Sequence, residues 1–137
     1  MQVVPTFHFH GQCQEALALY KRAFPVEMYV FLQYKDADPK DLPFVEERFR
    51  EYVYHSEISL CGARVRMCDE LEPGSGAPQT DLFLAVSLDT PEQVRQAWDI
   101  LLPGANVLVP IHSATFSPCV GSLVDRFGMR WGLMVEV

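Results

Sequence analysis

No apolar stretch in this 137-residue chain reaches the length of a bilayer span. The first residues do not follow the basic, apolar, small-residue order of a secretory leader. A cytoplasmic protein with no membrane partner is the expectation. No run of Lys or Arg occurs, and the formal charge is −7. Phosphate backbones need a basic patch, so nucleic acid is not an expected partner. The four cysteines, Cys13, Cys61, Cys68 and Cys119, form no CxxC or other ligand spacing. They read as reduced thiols, mostly buried as small hydrophobes. No Ser/His/Asp or Cys/His triad can be assembled from spacing.

What is present begins with the stretch from Phe83 to Leu101. Leu84, Val86 and Leu88 alternate with Phe83, Ala85 and Ser87, the period of a strand with two distinct faces. Asp89 or Thr90 can cap a helix, and Pro91 suits its first turn. Val94, Ala97, Trp98 and Leu101 then form one apolar stripe at helical spacing. The start of the chain repeats this βα unit, displaced by 78 positions (83 − 5). Pro5 to Phe9 is the strand, and Ala16, Leu19, Tyr20 and Ala23 take the places of the stripe.

The rest is read in order. Val26 to Tyr34 is rich in β-branched and aromatic residues, a strand. A polar loop with two prolines follows, then a short charged helix over Phe44 to Tyr52. Val53 to Leu60 and Ala63 to Cys68 are strands around a Cys61-Gly62 turn. That turn places Glu57 opposite Arg66 and Ser59 opposite Arg64. Ala105 to Ile111 is a strand, His112 to Pro118 a loop, and Val120 to Val124 with Met129 to Val137 a final hairpin. Glu70 to Asp81 is the clearest breaker stretch. The expectation is one domain made of two βαβββ modules, 1–70 and 82–137, joined by a linker over 71–81.

Four pieces of sequence carry a resemblance. They are Phe9-His-Gly-Gln-Cys-Gln-Glu-Ala-Leu-Ala-Leu-Tyr20 with Ala23-Phe-Pro25, His55-Ser-Glu-Ile-Ser-Leu-Cys-Gly62, Leu84-Ala-Val-Ser-Leu-Asp89, and Asp125-Arg-Phe-Gly-Met-Arg-Trp131. Together the chain resembles the vicinal-oxygen-chelate superfamily of glyoxalase I, bleomycin-resistance proteins and extradiol dioxygenases. It is most similar to the PhnB-like branch, some of which carry a 3-demethylubiquinone methyltransferase-like name. The resemblance implies an α+β fold, tandem βαβββ modules forming a curled mixed sheet cup around a small organic molecule, and a homodimer. Its four metal positions fall on Pro5, Arg66, Phe83 and Gly132, where no ordinary ligand stands. No metal and no other cofactor is therefore expected. A usual S-adenosylmethionine site has a glycine-rich turn after a strand, whereas Gly74-Ser-Gly76 lies in the breaker stretch.

On this reading His55, Glu57, Ser59, Arg64 and Arg66 share one strand face, turned inward. His55 and Glu57 are candidate acid–base or ligand-binding groups, or a hydrogen-bonded structural pair. Arg66 could receive an anionic group through its planar fork, or simply pair with Glu57. Phe7, Phe9 and Phe83 are expected beside them as an apolar wall, or as plain core. His8 is expected on the helix side of its strand, as a core or edge histidine. The main expectation is a metal-free small-molecule-binding protein. The alternative is an enzyme of lyase or oxidoreductase type acting on a small oxygenated substrate, with His55 and Glu57 as acid–base groups.

Overall fold

The structure, a computed structural model, describes residues 1–72 and 82–136. They fall into two compact units, one on each side of residues 73–81. The breaker stretch with Gly74-Ser-Gly76, expected as a linker, lies almost wholly outside the described residues.

The first unit holds β1 (Thr6–Phe9), α1 (Cys13–Ala23), β2 (Val26–Gln33), β3 (Val53–Leu60) and β4 (Ala63–Asp69). The second holds β5 (Leu84–Leu88), α2 (Pro91–Leu101), β6 (Asn106–Ala114), β7 (Ser117–Val124) and β8 (Arg130–Val135). Each is βαβββ. The sheet orders are β1-β4-β3-β2 and β5-β8-β7-β6, with the first pair of each parallel and the rest antiparallel.

Both helices form where the apolar stripes predict. Thr90 caps α2, its hydroxyl accepting the Gln93 N–H at 3.2 Å, and Pro91 fills the first position. Val94, Ala97, Trp98 and Leu101 are buried, as are Ala16, Leu19 and Tyr20 on α1. The Cys61-Gly62 turn has positive φ at both residues (51° and 86°), the geometry that matches the twist of two antiparallel strands. It sets Glu57 against Arg66 and Ser59 against Arg64.

The expected curled mixed-sheet cup is not formed. Among the described residues the eight strands make two separate four-stranded sheets, each open from one edge strand to the other. A single curled sheet would need the edge strands to be hydrogen-bonded to further strands. Here each module satisfies its ladder within itself, and β1 and β2, like β5 and β6, remain edges. Smaller differences follow from local chemistry. The charged helix expected over Phe44 to Tyr52 is one 3₁₀ turn, Glu47–Phe49, too short to bury an apolar stripe. The loop expected over His112 to Pro118 is largely strand, with β6 and β7 meeting at Ala114 and Ser117.

Candidate functional site

The two faces of the first sheet differ sharply. Ile58, Leu60, Val65 and Met67 are buried. Because neighbours along a strand alternate faces, His55, Glu57, Ser59, Arg64 and Arg66 occupy the other side. Parallel pairing of Thr6 with Arg66 and His8 with Cys68 adds β1 to that side.

β1 therefore has the opposite parity to the one its repeat with β5 suggested. Phe9 is buried, and Phe7 pairs with the buried Met67. Neither is a wall of the polar face, and the expectation for Phe7 and Phe9 is corrected on that point. Of the core or edge position expected for His8 the structure gives the edge one, since β1 is an edge strand and the side chain is 48% exposed, but on the face opposite to the expected helix side. The reason is a count. Three residues separate β1 from α1 but only two separate β5 from α2, so helices that superpose by 78 positions leave the strands one out of step. Phe83 lies in the second unit, packed under the Arg130 guanidinium at 4.7 Å from its ring centre.

The centre of the polar face is Glu57. Its Oε1 accepts from Arg66 Nε at 2.9 Å, and from Arg64 Nε at 3.1 Å and Nη2 at 2.5 Å. His55 Nε2 stands 3.7 Å from its other oxygen. The carboxylate is 12% exposed although its partners are each 41% exposed. The hydrogen bonds from Arg66 and then Arg64 hold its pKa below the usual carboxylate range, against the opposing effect of desolvation. Glu57 is thus a firmly ionised anchor for two guanidinium groups and a weak base. His55 is the better placed of the two for proton transfer.

Further along the same face stand His8, Cys68 and Glu70. One ligand atom from each lies within 4.8 Å of the other two, and His8 Nδ1 pairs with Glu70 Oε1. Burial pushes the Cys68 thiol up, helped by the Glu70 and Asp69 carboxylates. Cys13 and Cys119 are buried as expected, whereas Cys61 is exposed. Sequence reasoning missed this cluster because no short spacing joins residues 8 and 68. The parallel β1–β4 pair alone brings them together.

It missed Asp69 for the same reason. This buried residue accepts the Gly11 and Cys13 N–H groups at 2.8 and 3.0 Å on Oδ1, and the Val53 N–H at 2.9 Å on Oδ2. Its backbone oxygen accepts the Tyr34 hydroxyl at 2.7 Å. Burial, then the Cys68 thiol and the nearby carboxylates, pushes the Tyr34 phenol up to about 12.

The four positions at which the resemblance would place metal ligands do not fit a metal. Pro5 and Phe83 offer no donor, and Arg66 is bonded to Glu57. A Cβ placed on Gly132 would sit 3.0 Å from the Phe83 ring, so that space is filled by packing.

No protein-family model matches the chain. Protein YjdN of Escherichia coli (strain K12) is 21% identical over 145 residues, covering 98% of this chain and 95% of that one. The PhnB protein from Bacillus cereus superposes with a TM-score of 0.83 at 22% identity, covering 99% of this chain and all of the other. The fosfomycin resistance protein FosX from Listeria monocytogenes, solved with Mn(II) and dihydroxypropylphosphonic acid, superposes at 0.67 with 11% identity, covering 100% and 93%. A metal-free binding protein, the main expectation, does not stand beside these findings. A set of side chains that can hold a metal is present, and a metal-bearing protein shares the fold. No helix of the described residues is long and apolar enough to cross a membrane. The two tandem βαβββ units are thus a fold that this chain shares, over nearly its whole length, with the PhnB protein from Bacillus cereus.

Proposed function

We propose that this protein is an enzyme acting on a small, oxygenated, anionic organic molecule at the polar face of the first sheet. The observation that carries the reading is Glu57 holding Arg64 and Arg66 side by side, with His55 3.7 Å from the same carboxylate. With two guanidinium groups fixed by one anion, the N–H groups not spent on Glu57 are preorganised to receive a carboxylate or phosphonate. His55, 41% exposed, is then the acid–base group, and Glu57 orients it. FosX, similar in fold, holds a molecule of this kind, an oxygenated phosphonic acid.

The same reading takes the protein to be a cytoplasmic homodimer. The homodimer is supported by the edge strand β2, which exposes Tyr29, Phe31 and Leu32. The test is turnover by the whole protein of a panel of hydroxy acids, 2-oxo acids and epoxy phosphonates, with light scattering of the same sample. Turnover of at least one member is expected, with kcat lost in His55→Ala and KM raised in Arg64→Ala. Binding without turnover across the panel, or an unchanged kcat in His55→Ala, overturns the reading.

A further inference from the structure

We propose that His8, Cys68 and Glu70 form a zinc site, at a place different from the superfamily metal positions. The inference stands without the enzymatic reading above, since a metal can be held whether or not a reaction follows.

The donor set comes first. An imidazole, a thiolate and a carboxylate together suit a borderline-soft cation. Mg²⁺ and Ca²⁺ prefer all-oxygen sites, whereas Zn²⁺ takes nitrogen, sulfur and oxygen in one tetrahedron. Three protein ligands leave a fourth position for water or an exchangeable group.

The geometry is close to what zinc needs. With bonds of about 2.0–2.3 Å, tetrahedral ligand atoms stand roughly 3.3–3.7 Å apart. The three donor atoms already lie within 4.8 Å of one another. The remaining gap is within the reach of side-chain rotation, because His8 and Glu70 are about half exposed.

The backbone beneath is fixed. His8 and Cys68 are register partners of two parallel strands. The Glu70 N–H donates to the Phe9 oxygen at 2.7 Å, and His10 Nδ1 contacts the Glu72 oxygen at 2.6 Å. Asp69, between two of the ligands, is locked by three backbone N–H groups. A site on such a scaffold needs only side-chain movement to close.

The charges agree. Arg66, two residues before Cys68, is bonded to Glu57. Among the described residues Glu70 forms its ion pair with His8, an imidazole that can turn from proton partner to metal ligand. On binding, the Cys68 thiol gives its proton to solvent and the thiolate takes the metal in its place. The Sγ–Zn, Nδ1–Zn and Glu70 carboxylate–Zn bonds replace an S–H bond, the His8–Glu70 contact and waters released from the aqueous ion, with no change of oxidation state.

The test uses the whole, reduced, untagged chain after metal stripping. Zn²⁺ alone is added and native mass spectrometry counts the uptake, while Co²⁺ serves as an optical probe. One ion per chain is expected, with a thiolate-to-cobalt charge-transfer band. Cys68→Ser should abolish that band and Cys61→Ser should keep it, since Cys61 is the other accessible thiol. His8→Ala and Glu70→Gln should weaken Zn²⁺ by more than the roughly 10–100-fold that loss of an outer-shell partner costs. Circular dichroism shows whether each variant is folded, and these positions lie on an open face. No uptake by the wild-type chain overturns the proposal. So does an unchanged affinity in folded Cys68→Ser and Glu70→Gln, which would make His8 and Glu70 a simple surface ion pair.

Discussion

The carboxylate of Asp69, at the end of β4, accepts the backbone N–H of Cys13, the first residue of α1, at 3.0 Å. Residues 56 positions apart thus do the work of a local helix cap. The N-cap residue itself, Gln12, makes no side-chain cap bond. The same carboxylate holds Gly11 and Val53, so one buried side chain ties the β1–α1 turn, the helix start and the start of β3 together.

Asp69→Ala should therefore be among the most destabilising single changes in the first unit. It leaves three backbone N–H groups without their acceptor. Buried unsatisfied donors cost about 1–3 kcal/mol each, and partial rehydration would recover some of that, so a loss of about 3–5 kcal/mol is expected in urea unfolding. Thr90→Ala, which removes the ordinary cap of α2, should cost only about 1 kcal/mol. Equal costs at the two positions would show that Asp69 is no more than a cap.

Glu57 sets a pH dependence whose sign is fixed. Its folded-state pKa lies below the ordinary carboxylate value because Arg66, and then Arg64, hydrogen-bond the ionised form. A depressed pKa contributes stability that is present above the unfolded value, about 4.3, and is lost as pH falls through the folded value. Unfolding of the wild type and of Glu57→Gln should differ most near neutral pH and converge on acidification below about pH 4. A difference that stays constant down to pH 3 would assign the effect to packing. Added salt should shrink the neutral-pH difference only partly, since the carboxylate is mostly buried between its partners.

Much of this face was legible beforehand. Parity along Val53 to Cys68 separates Ile58, Leu60, Val65 and Met67 from Glu57, Arg64 and Arg66, because a period of two leaves each residue only two places to go. The Cys61-Gly62 turn fixes which residues pair. What was not legible lies across long loops. The join of β1 to β4 spans some sixty residues, and nothing in either strand states the register. One extra residue between β1 and α1 reversed the faces of Phe7, His8 and Phe9, and with them the reading of His8. The pairing of sheets was also invisible. An edge strand and a central strand of the same composition differ only in what meets them, so the sequence could not show that two open sheets form in place of one curled one.

Cys61 is the one described non-glycine residue with positive φ, at 51°. An L side chain in that conformation costs roughly 1–2 kcal/mol, and Asn tolerates it best because its short polar side chain bonds locally. Cys61→Asn creates the Asn-Gly pair most suited to this hairpin. It should raise the unfolding free energy by about 0.5–1 kcal/mol, and it also removes an exposed thiol. A lower midpoint in thermal unfolding would mean that the sulfur packs favourably, and the turn argument would then fail.

Gly11 allows the extra residue that sets the parity of β1. Its φ is +100°, outside the comfortable range of a side chain, and its N–H reaches Asp69 Oδ1 at 2.8 Å. A Cβ there would stand 2.7 Å from the Tyr52 ring and hydroxyl. Gly11→Ala thus combines two penalties, backbone strain of roughly 1–2 kcal/mol and an overlap of about 1–2 kcal/mol. They can be separated. In a Tyr52→Ala background the overlap is gone and only the strain remains. Gly11→Ala should then cost about 2–4 kcal/mol in the wild type and about 1–2 kcal/mol in that background, a coupling of at least about 1 kcal/mol in a double-mutant cycle. The same cost in both backgrounds would place the whole effect in the backbone. No cost in either would mean that the turn can relax to negative φ, and the anchoring of α1 by Asp69 would then have to be weaker than its two hydrogen bonds to Gly11 and Cys13 imply.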